Sequence, residues 1–251
     1  MKRILLTLFT VTALSFPLYA SLLHVGVNAG YAYASMEDLN NSWEDAKEAA
    51  KNDGRDATIS SFGHAIFVNA DLDIGLVPII SFGPRVGFQY VLPVTYEESV
   101  YIDPVTATVK EEFNAMLVPV LFGAAANIGL PGMPFSLTAA IYGGYGFGFA
   151  SRGVELPSGT PYLTKYSTLY QGGGFMADAA AAVEFAVLPF ITLSVNLGYR
   201  WADISEMKAV DKIDIPGVIT VDAGELPKIG DKPVSYNFSG INAGLGLNIR
   251  F

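Results

Sequence analysis

Seven charged side chains lie inside stretches of sequence that otherwise alternate between large apolar residues and small or polar ones. Along each stretch, the charged residue falls in the same alternate positions as Gly, Asn, Ser or Thr. It therefore lies on the face opposite the large apolar residues. A buried charge needs a partner, because leaving it unpaired is costly. We therefore predict an interior charge network made of Asp71, Asp73, Arg85, Asp178, Glu184, Arg200 and Arg250.

A second group with possible function is apolar. The segment 115–122 is apolar at every position, and Pro119 within it lacks the N–H needed for one ladder hydrogen bond. Together with apolar residues at the polar-parity positions of other segments, it predicts a small hydrophobic pocket that opens sideways through a weakened seam. The alternative is that these residues only pack together. They are Phe67, Met116, Val118, Pro119, Tyr142 and Met176.

Residues that could carry catalysis or bind a metal are few. The chain has two histidines, which parity places on opposite faces, and it has no cysteine. We find no Ser-His-Asp group, no metal-ligand spacing and no phosphate-binding glycine loop. We therefore expect no enzyme, no catalytic residue, no metal and no cofactor. The formal net charge of −9 argues against nucleic acid, whose phosphates require clustered Lys and Arg.

Period-two alternation predicts the elements that position these residues. Its phase changes near Gly240, which predicts a bulge there. The eight predicted strands are 23–34, 62–73, 82–92, 113–127, 135–150, 173–187, 191–202 and 234–251.

The connections between these strands alternate between short and long. Three are tight turns with glycine or proline, and four are long and polar: 35–61, 93–112, 151–172 and 203–233. Short periplasmic turns and long outside loops are typical of an antiparallel up-and-down transmembrane barrel. In that barrel most of the charge network, with His24, falls near the periplasmic ends of the strands. It would close the lumen there, as a static layer or as a proton-sensitive gate.

A soluble barrel of the lipocalin type is the rival fold. It would turn its apolar face inward and its polar face to water. The polar face here is rich in Gly, Ala, Ser and Asn and poor in charges, and no charged residue falls on the apolar face. This distribution favours contact with lipid outside and a narrow polar lumen inside.

Both ends of the chain carry targeting signals. Residues 1–20 have a basic start, a short apolar run and a small-residue cleavage site, which predicts a signal peptide followed by one barrel domain over 21–251. The chain ends in an alternating strand with Leu247, Ile249 and Phe251 on its apolar face. It resembles the C-terminal signal by which outer-membrane barrels are recognised for insertion. We therefore expect outer-membrane lipid and the barrel-insertion machinery as partners.

The architecture, the loop layout and Phe251 resemble the OmpW/OmpA-like family of small eight-stranded outer-membrane proteins. The resemblance to the OmpW-like members implies passage of small hydrophobic molecules, so the first expectation is a narrow channel or uptake route for such a ligand. The alternative is a surface adhesin or interaction protein that binds a host or surface partner through its loops. A predicted helix from Ser42 to Asp53-Gly54 would present Trp43 to such a partner.

Overall fold

Eight long strands pair in a closed antiparallel ring, so the predicted eight-stranded barrel is confirmed. The computed structural model describes residues 23–60, 63–77, 79–102, 105–129, 133–155, 165–215, 219–229 and 232–251; the predicted signal peptide lies outside them. The strands are β1 (Leu23–Tyr33), β2 (His64–Val77), β3 (Ile80–Ile102), β4 (Val105–Gly129), β5 (Phe135–Glu155), β6 (Lys165–Leu188), β7 (Ile191–Ile204) and β8 (Gly240–Arg250).

The two ends of the barrel differ. At the inner end, the Phe251 N–H donates to the Leu23 carbonyl at 2.9 Å, so the start of β1 and the end of β8 meet there beside the tight turns. At the outer end lie a helix, α1 (Glu37–Asn52), and the long connections. The short strands of these connections are Ala57–Ile59, Lys208–Ala209, Ile213–Ile215, Ile219–Val221, Lys228–Ile229, Lys232–Pro233 and Tyr236–Asn237.

The outer surface of the ring is apolar, as the alternation predicts. Leu245, Ile141 and Phe122 are each more than 60% exposed, and the large apolar residues of all eight strands share this face. In water such a continuous surface would drive association, whereas a hydrocarbon environment suits it. The face therefore identifies a transmembrane barrel. Among the described residues, no helix is long and apolar enough to cross a membrane.

Two of the four predicted loops are largely strand. β3 continues as far as Ile102, and β4 already begins at Val105. In the same way, β5 and β6 remain paired as far as Glu155 and Lys165. Opposite charges face each other in these extensions, as at Glu97 and Lys110. The prediction relied on apolar alternation, which disappears where both faces of a strand meet water or polar side chains. The barrel wall therefore extends beyond the band of exposed apolar residues on its outer surface, which we call the belt.

Helix α1 begins earlier than predicted, at Glu37, and ends as predicted before Asp53-Gly54. Met36 precedes it in the left-handed conformation without a side-chain cap. The acidic first turn, Glu37 and Asp38, compensates because negative charge interacts favourably with the positive end of the helix dipole. Gly54, at φ 76°, allows the chain to turn back after the last turn.

The predicted change of phase at Gly240 is wrong. Tyr236 and Phe238 are buried on the inner face, and the pairing of Tyr236 with Ile204 keeps the register of Gly240 with Arg200. Alternation therefore continues in one phase through Gly240. The sequence suggested a change because apolar residues point outward within the belt and inward above it, where the interior becomes apolar.

A charged residue on the apolar belt should destabilise the barrel. Leu245→Lys places an ammonium group where the barrel meets hydrocarbon, and we expect a loss of about 2–4 kcal/mol in the free energy of unfolding. Urea titration in phospholipid vesicles measures it. Gln171→Lys, on the exposed face of β6 at the outer end, is the matched control and should leave the unfolding free energy within about 0.5 kcal/mol of wild type. Equal losses for the two variants would contradict the assignment of the belt.

Candidate functional site: a lumen closed at two levels

The middle of the lumen holds two buried ion pairs. Arg85 on β3 binds Asp71 directly across the β2–β3 ladder. Arg200 on β7 binds both carboxylate oxygens of Asp178 on β6, each at 2.8 Å. The pairs are linked, because the Arg85 guanidinium also lies 3.9 Å from Asp178. All four side chains are less than a tenth exposed.

Arg200 reaches across the barrel. Besides Asp178 it donates to Gln89 Oε1 at 2.7 Å and to Asn69 Oδ1 at 3.4 Å. Gln89 lies on β3, four strands from β7 in the ring. A guanidinium group bonded to both walls fills the cross-section at this level. The lumen of an eight-stranded barrel is only wide enough for side chains, so little space is left beside these contacts.

The inner end holds a third ion pair. Arg250 on β8 binds Glu184 on β6, and Glu184 also accepts hydrogen bonds from Thr138 at 2.7 Å and Thr192 at 3.4 Å. Arg250 is partly exposed, whereas Glu184 is buried. The structure thus places all seven predicted charges inside the barrel. Of the five expected in one layer with His24, three lie at the inner end, whereas Asp71 and Arg85 belong to the middle level with Asp178 and Arg200.

The fourth carboxylate, Asp73, has no arginine. Its nearest neighbours are the Tyr142 hydroxyl at 3.4 Å and the His24 ring at 3.6 Å. Arg85 stacks on the ring of Tyr142 at 3.8 Å and so connects Asp73 to the middle level. His64, by contrast, lies on the outer face and bonds to the Tyr31 hydroxyl. The two histidines therefore do not share a site.

The predicted apolar pocket divides between the two faces. Met116 and Val118 lie on the outer face, so placing them in the lumen was wrong; they share the parity of the exposed Val120 and Phe122, whereas odd-numbered residues of β4 point inward. An all-apolar strand shows no contrast between its faces, so the sequence could not give its phase. The inward members are Phe67, Pro119, Tyr142 and Met176.

At the seam predicted beside Pro119, the β3–β4 pairing is interrupted, but the two strands keep the same register on either side. The β3–β4 ladder loses its pairings beside Pro119 and resumes in the same register from Gln89 and Leu117. On its other side Pro119 remains paired with Gly146. A Cβ added at Gly146 would lie 2.8 Å from Met176 Sδ and 2.9 Å from Leu117 Cδ1, so the apolar interior is tightly filled here.

An aromatic cap closes the outer mouth. Trp43 of α1 contacts the rings of Tyr96 and Phe113, and Phe113 stacks on Tyr236 at 5.5 Å. Trp43 is only 2% exposed, so the prediction that it is presented to a partner was wrong. The helix turns its apolar residues down onto the barrel mouth, because burying an indole there is worth more than exposing it. Burial raises the pKa of both Tyr236 and Tyr96 above their ordinary value.

Polar contacts fasten the cap to the barrel wall. Arg152 on β5 forms a bidentate ion pair with Glu111 on β4. It also donates a hydrogen bond to the Lys228 carbonyl at 2.7 Å. Asp38 of α1 accepts from the Ser235 hydroxyl at 2.6 Å. The helix and the segment before β8 are therefore held to each other as well as to the wall.

Neutral polar residues complete the interior, and none of them was among the predicted site residues. Asn28 donates to Asp71 at 2.9 Å and accepts from Asn196 at 2.8 Å, while Gln89, Asn69 and Thr138 bond to the charged groups. Their inward parity was visible in the sequence, but the partner of each depends on the register of the ring. Of the predicted insertion residues, Leu247 and Phe251 are exposed on the apolar face and Ile249 is half-buried there.

Removing one partner of a middle-level ion pair should be more harmful than removing both. Arg200→Leu leaves the buried Asp178 carboxylate without its guanidinium, and we expect a loss of about 3–5 kcal/mol in the free energy of unfolding. The double variant Asp178→Leu/Arg200→Leu should recover most of it. Lys212→Leu, which removes the exposed pair with Asp222, is the control and should cost less than about 1 kcal/mol. Additive losses in the double variant would show that the two groups are not coupled.

The cap should open at high pH. The raised pKa of Tyr96 and Tyr236 means that the folded cap keeps protons that the unfolded segment releases near pH 10, so stability is lost as pH rises above about 10. In a Trp201→Phe variant, iodide quenching of Trp43 fluorescence should stay low below that pH and rise above it. The same rise in a Tyr96→Phe/Tyr236→Phe variant would exclude tyrosine ionisation as the cause.

Comparison with known proteins finds only distant structural similarities. No family model and no curated protein matches the sequence. Among solved structures, Neisserial surface protein A is similar at 12% identity and TM-score 0.40, over 92% of this chain and 98% of that one. The outer membrane protease OmpT from Escherichia coli has 8% identity and TM-score 0.40, over 92% and 97%. OprG from Pseudomonas aeruginosa has 12% and 0.39, over 91% and 95%.

The fold follows from the chain's own pairing, since its eight strands close on one another with apolar residues outside and charged residues inside. By that pairing, the chain has the architecture of the small eight-stranded outer-membrane β-barrel proteins.

Proposed function

We propose that this chain is an integral outer-membrane protein that acts through its capped outer end, with the barrel as a rigid anchor. The observation that carries the proposal is the closure of the lumen at two levels by different chemistry. Arg200 bridges opposite walls in the middle, and the Trp43–Phe113–Tyr236 cluster fills the mouth. A barrel closed twice by bonded side chains is better suited to holding a surface in place than to conducting solutes.

The assignment to the outer membrane rests on the apolar belt and the closed ring. A closed barrel satisfies every backbone hydrogen-bonding group within hydrocarbon, which an open sheet does not. The even number of strands puts both ends of the barrel domain at the inner, periplasmic end. The cap then lies outside the cell.

The outward surface of the cap is ordered and acidic. Helix α1 buries Leu39, Trp43 and Ala50, and its opposite side exposes Glu37, Glu44 and Glu48. A helix held down by a buried indole presents these carboxylates in fixed positions, so a partner does not have to order the loop on binding. This is the support for an interaction protein or adhesin.

The uptake route for small hydrophobic solutes has weaker support. Phe67 and Met176 face the lumen, but they are packed within the apolar interior, and the strands beside Pro119 keep one register. Transport would require the cap and the Arg200 bridge to move. A planar-bilayer recording tests the two functions against each other: we expect the reconstituted wild-type barrel to be silent, whereas discrete openings would favour the channel.

The surface role needs its own test. Cells that display the barrel should adhere to a host-cell monolayer better than cells without it. Glu44→Lys/Glu48→Lys should lose that adhesion, because it reverses the charge of the exposed side of α1 and leaves both Trp43 and the acidic first turn unchanged. Heat-modifiable migration on gels verifies that the variant still folds, and Lys208→Glu provides an exposed charge change away from the helix. Equal adhesion of the helix variant and wild type would contradict a role for this surface.

A further inference from the structure

The charges inside the barrel do not balance. The lumen contains four carboxylates, Asp71, Asp73, Asp178 and Glu184, and three guanidinium groups. Each guanidinium binds a different carboxylate: Arg85 binds Asp71, Arg200 binds Asp178 and Arg250 binds Glu184. Asp73 is the carboxylate left over. One negative charge in the described lumen therefore has no arginine partner.

Asp73 is also incompletely hydrogen-bonded. It is 2% exposed, and its Oδ1 atom has no hydrogen-bond partner. The other oxygen, Oδ2, accepts from the Tyr142 hydroxyl at 3.4 Å, which is long for a hydrogen bond. His24 Nδ1 lies 3.6 Å from Oδ2, and His24 Nε2 is likewise buried without a partner. A buried carboxylate oxygen without a donor or a cation is costly.

A small cavity lined by both polar side chains and alanines lies beside this carboxylate. Its volume is about 40 Å³, and Asp73, His24, Asn28, Thr138, Tyr142 and Glu184 are among its lining residues. Space of this size holds about two or three water-sized groups. Arg85 also borders the cavity, but it is already bonded to Asp71 and stacked on Tyr142.

We propose that this cavity binds one partly hydrated monovalent alkali cation, with Asp73 as its carboxylate ligand. Such an ion supplies the missing positive charge, fits the space and can be coordinated by carboxylate, hydroxyl and amide oxygens. The unmatched charge is a single one, and no three His, Cys, Asp or Glu side chains of the described residues are grouped to hold a metal ion, so the other ligands are neutral oxygens and water. The ion joins β1 to β2 at the inner end, where His24 pairs with Asp73.

Sodium-dependent stability tests the site. The refolded barrel is unfolded by heat in detergent micelles, in sodium chloride and in N-methylglucamine chloride of equal ionic strength; the organic cation is too large for the cavity. Binding to the folded state alone should raise Tm in sodium and saturate. At about five times the dissociation constant the expected shift is about 2–4 °C. Identical Tm values in the two salts at all concentrations would overturn the proposal and favour a proton as the missing charge.

Two variants and one direct measurement keep the outcome specific. Asp73→Asn should lose the saturable shift, while Asp222→Asn, an exposed carboxylate on the outer segment, should keep it. Should Asp73→Asn fail to fold, ²³Na relaxation in the wild-type barrel decides: saturable broadening, absent in a charge-matched unfolded sample, supports the site. Broadening that rises without saturation would overturn it.

Discussion

The narrowness of an eight-stranded ring inside an apolar exterior is the constraint on which the rest of this structure depends. Lipid on the outside forces every charged residue of the belt inward, where eight strands leave room for side chains and little else. Charges in so small a space must meet one another. The Arg200 bridge between opposite walls is a direct result, since its guanidinium reaches both Asp178 and Gln89.

The side chains that fill the interior differ along the barrel axis. Within the belt much of the interior is polar, because most large apolar residues take outward positions and many inward ones are Asp, Arg, Asn or Thr; Phe67, Leu117 and Met176 add an apolar patch there. Above the belt the wall meets water and the preference reverses, so that Trp43, Phe113 and Tyr236 turn inward. The cap is therefore a small soluble-type core placed on a membrane-type barrel, and the two are stabilised by different forces: burial of apolar surface above, and ion pairs and hydrogen bonds below.

This division suits an anchored surface protein. The ion pairs below hold the strands in one register, and the extended hairpins carry that rigidity past the belt to the cap. Helix α1 rests on this support through Trp43 and Leu39, and Asp38 ties it to Ser235 of the returning segment. The exposed acidic side of α1 is thus positioned by buried contacts rather than by its own helical propensity.

The sequence by itself determined the existence of eight strands, the phase of seven of them within the belt and the inward position of every belt charge, because contact with lipid imposes strict alternation. It did not determine the phase of β4, where Met116 and Pro119 are equally apolar, or the direction of Trp43 above the belt. It also left open which carboxylate each arginine binds, and hence that Asp73 has none. Only the tertiary structure decided these points. Parity follows from a local period of two residues, whereas partners depend on ring register and on side chains that meet across the lumen.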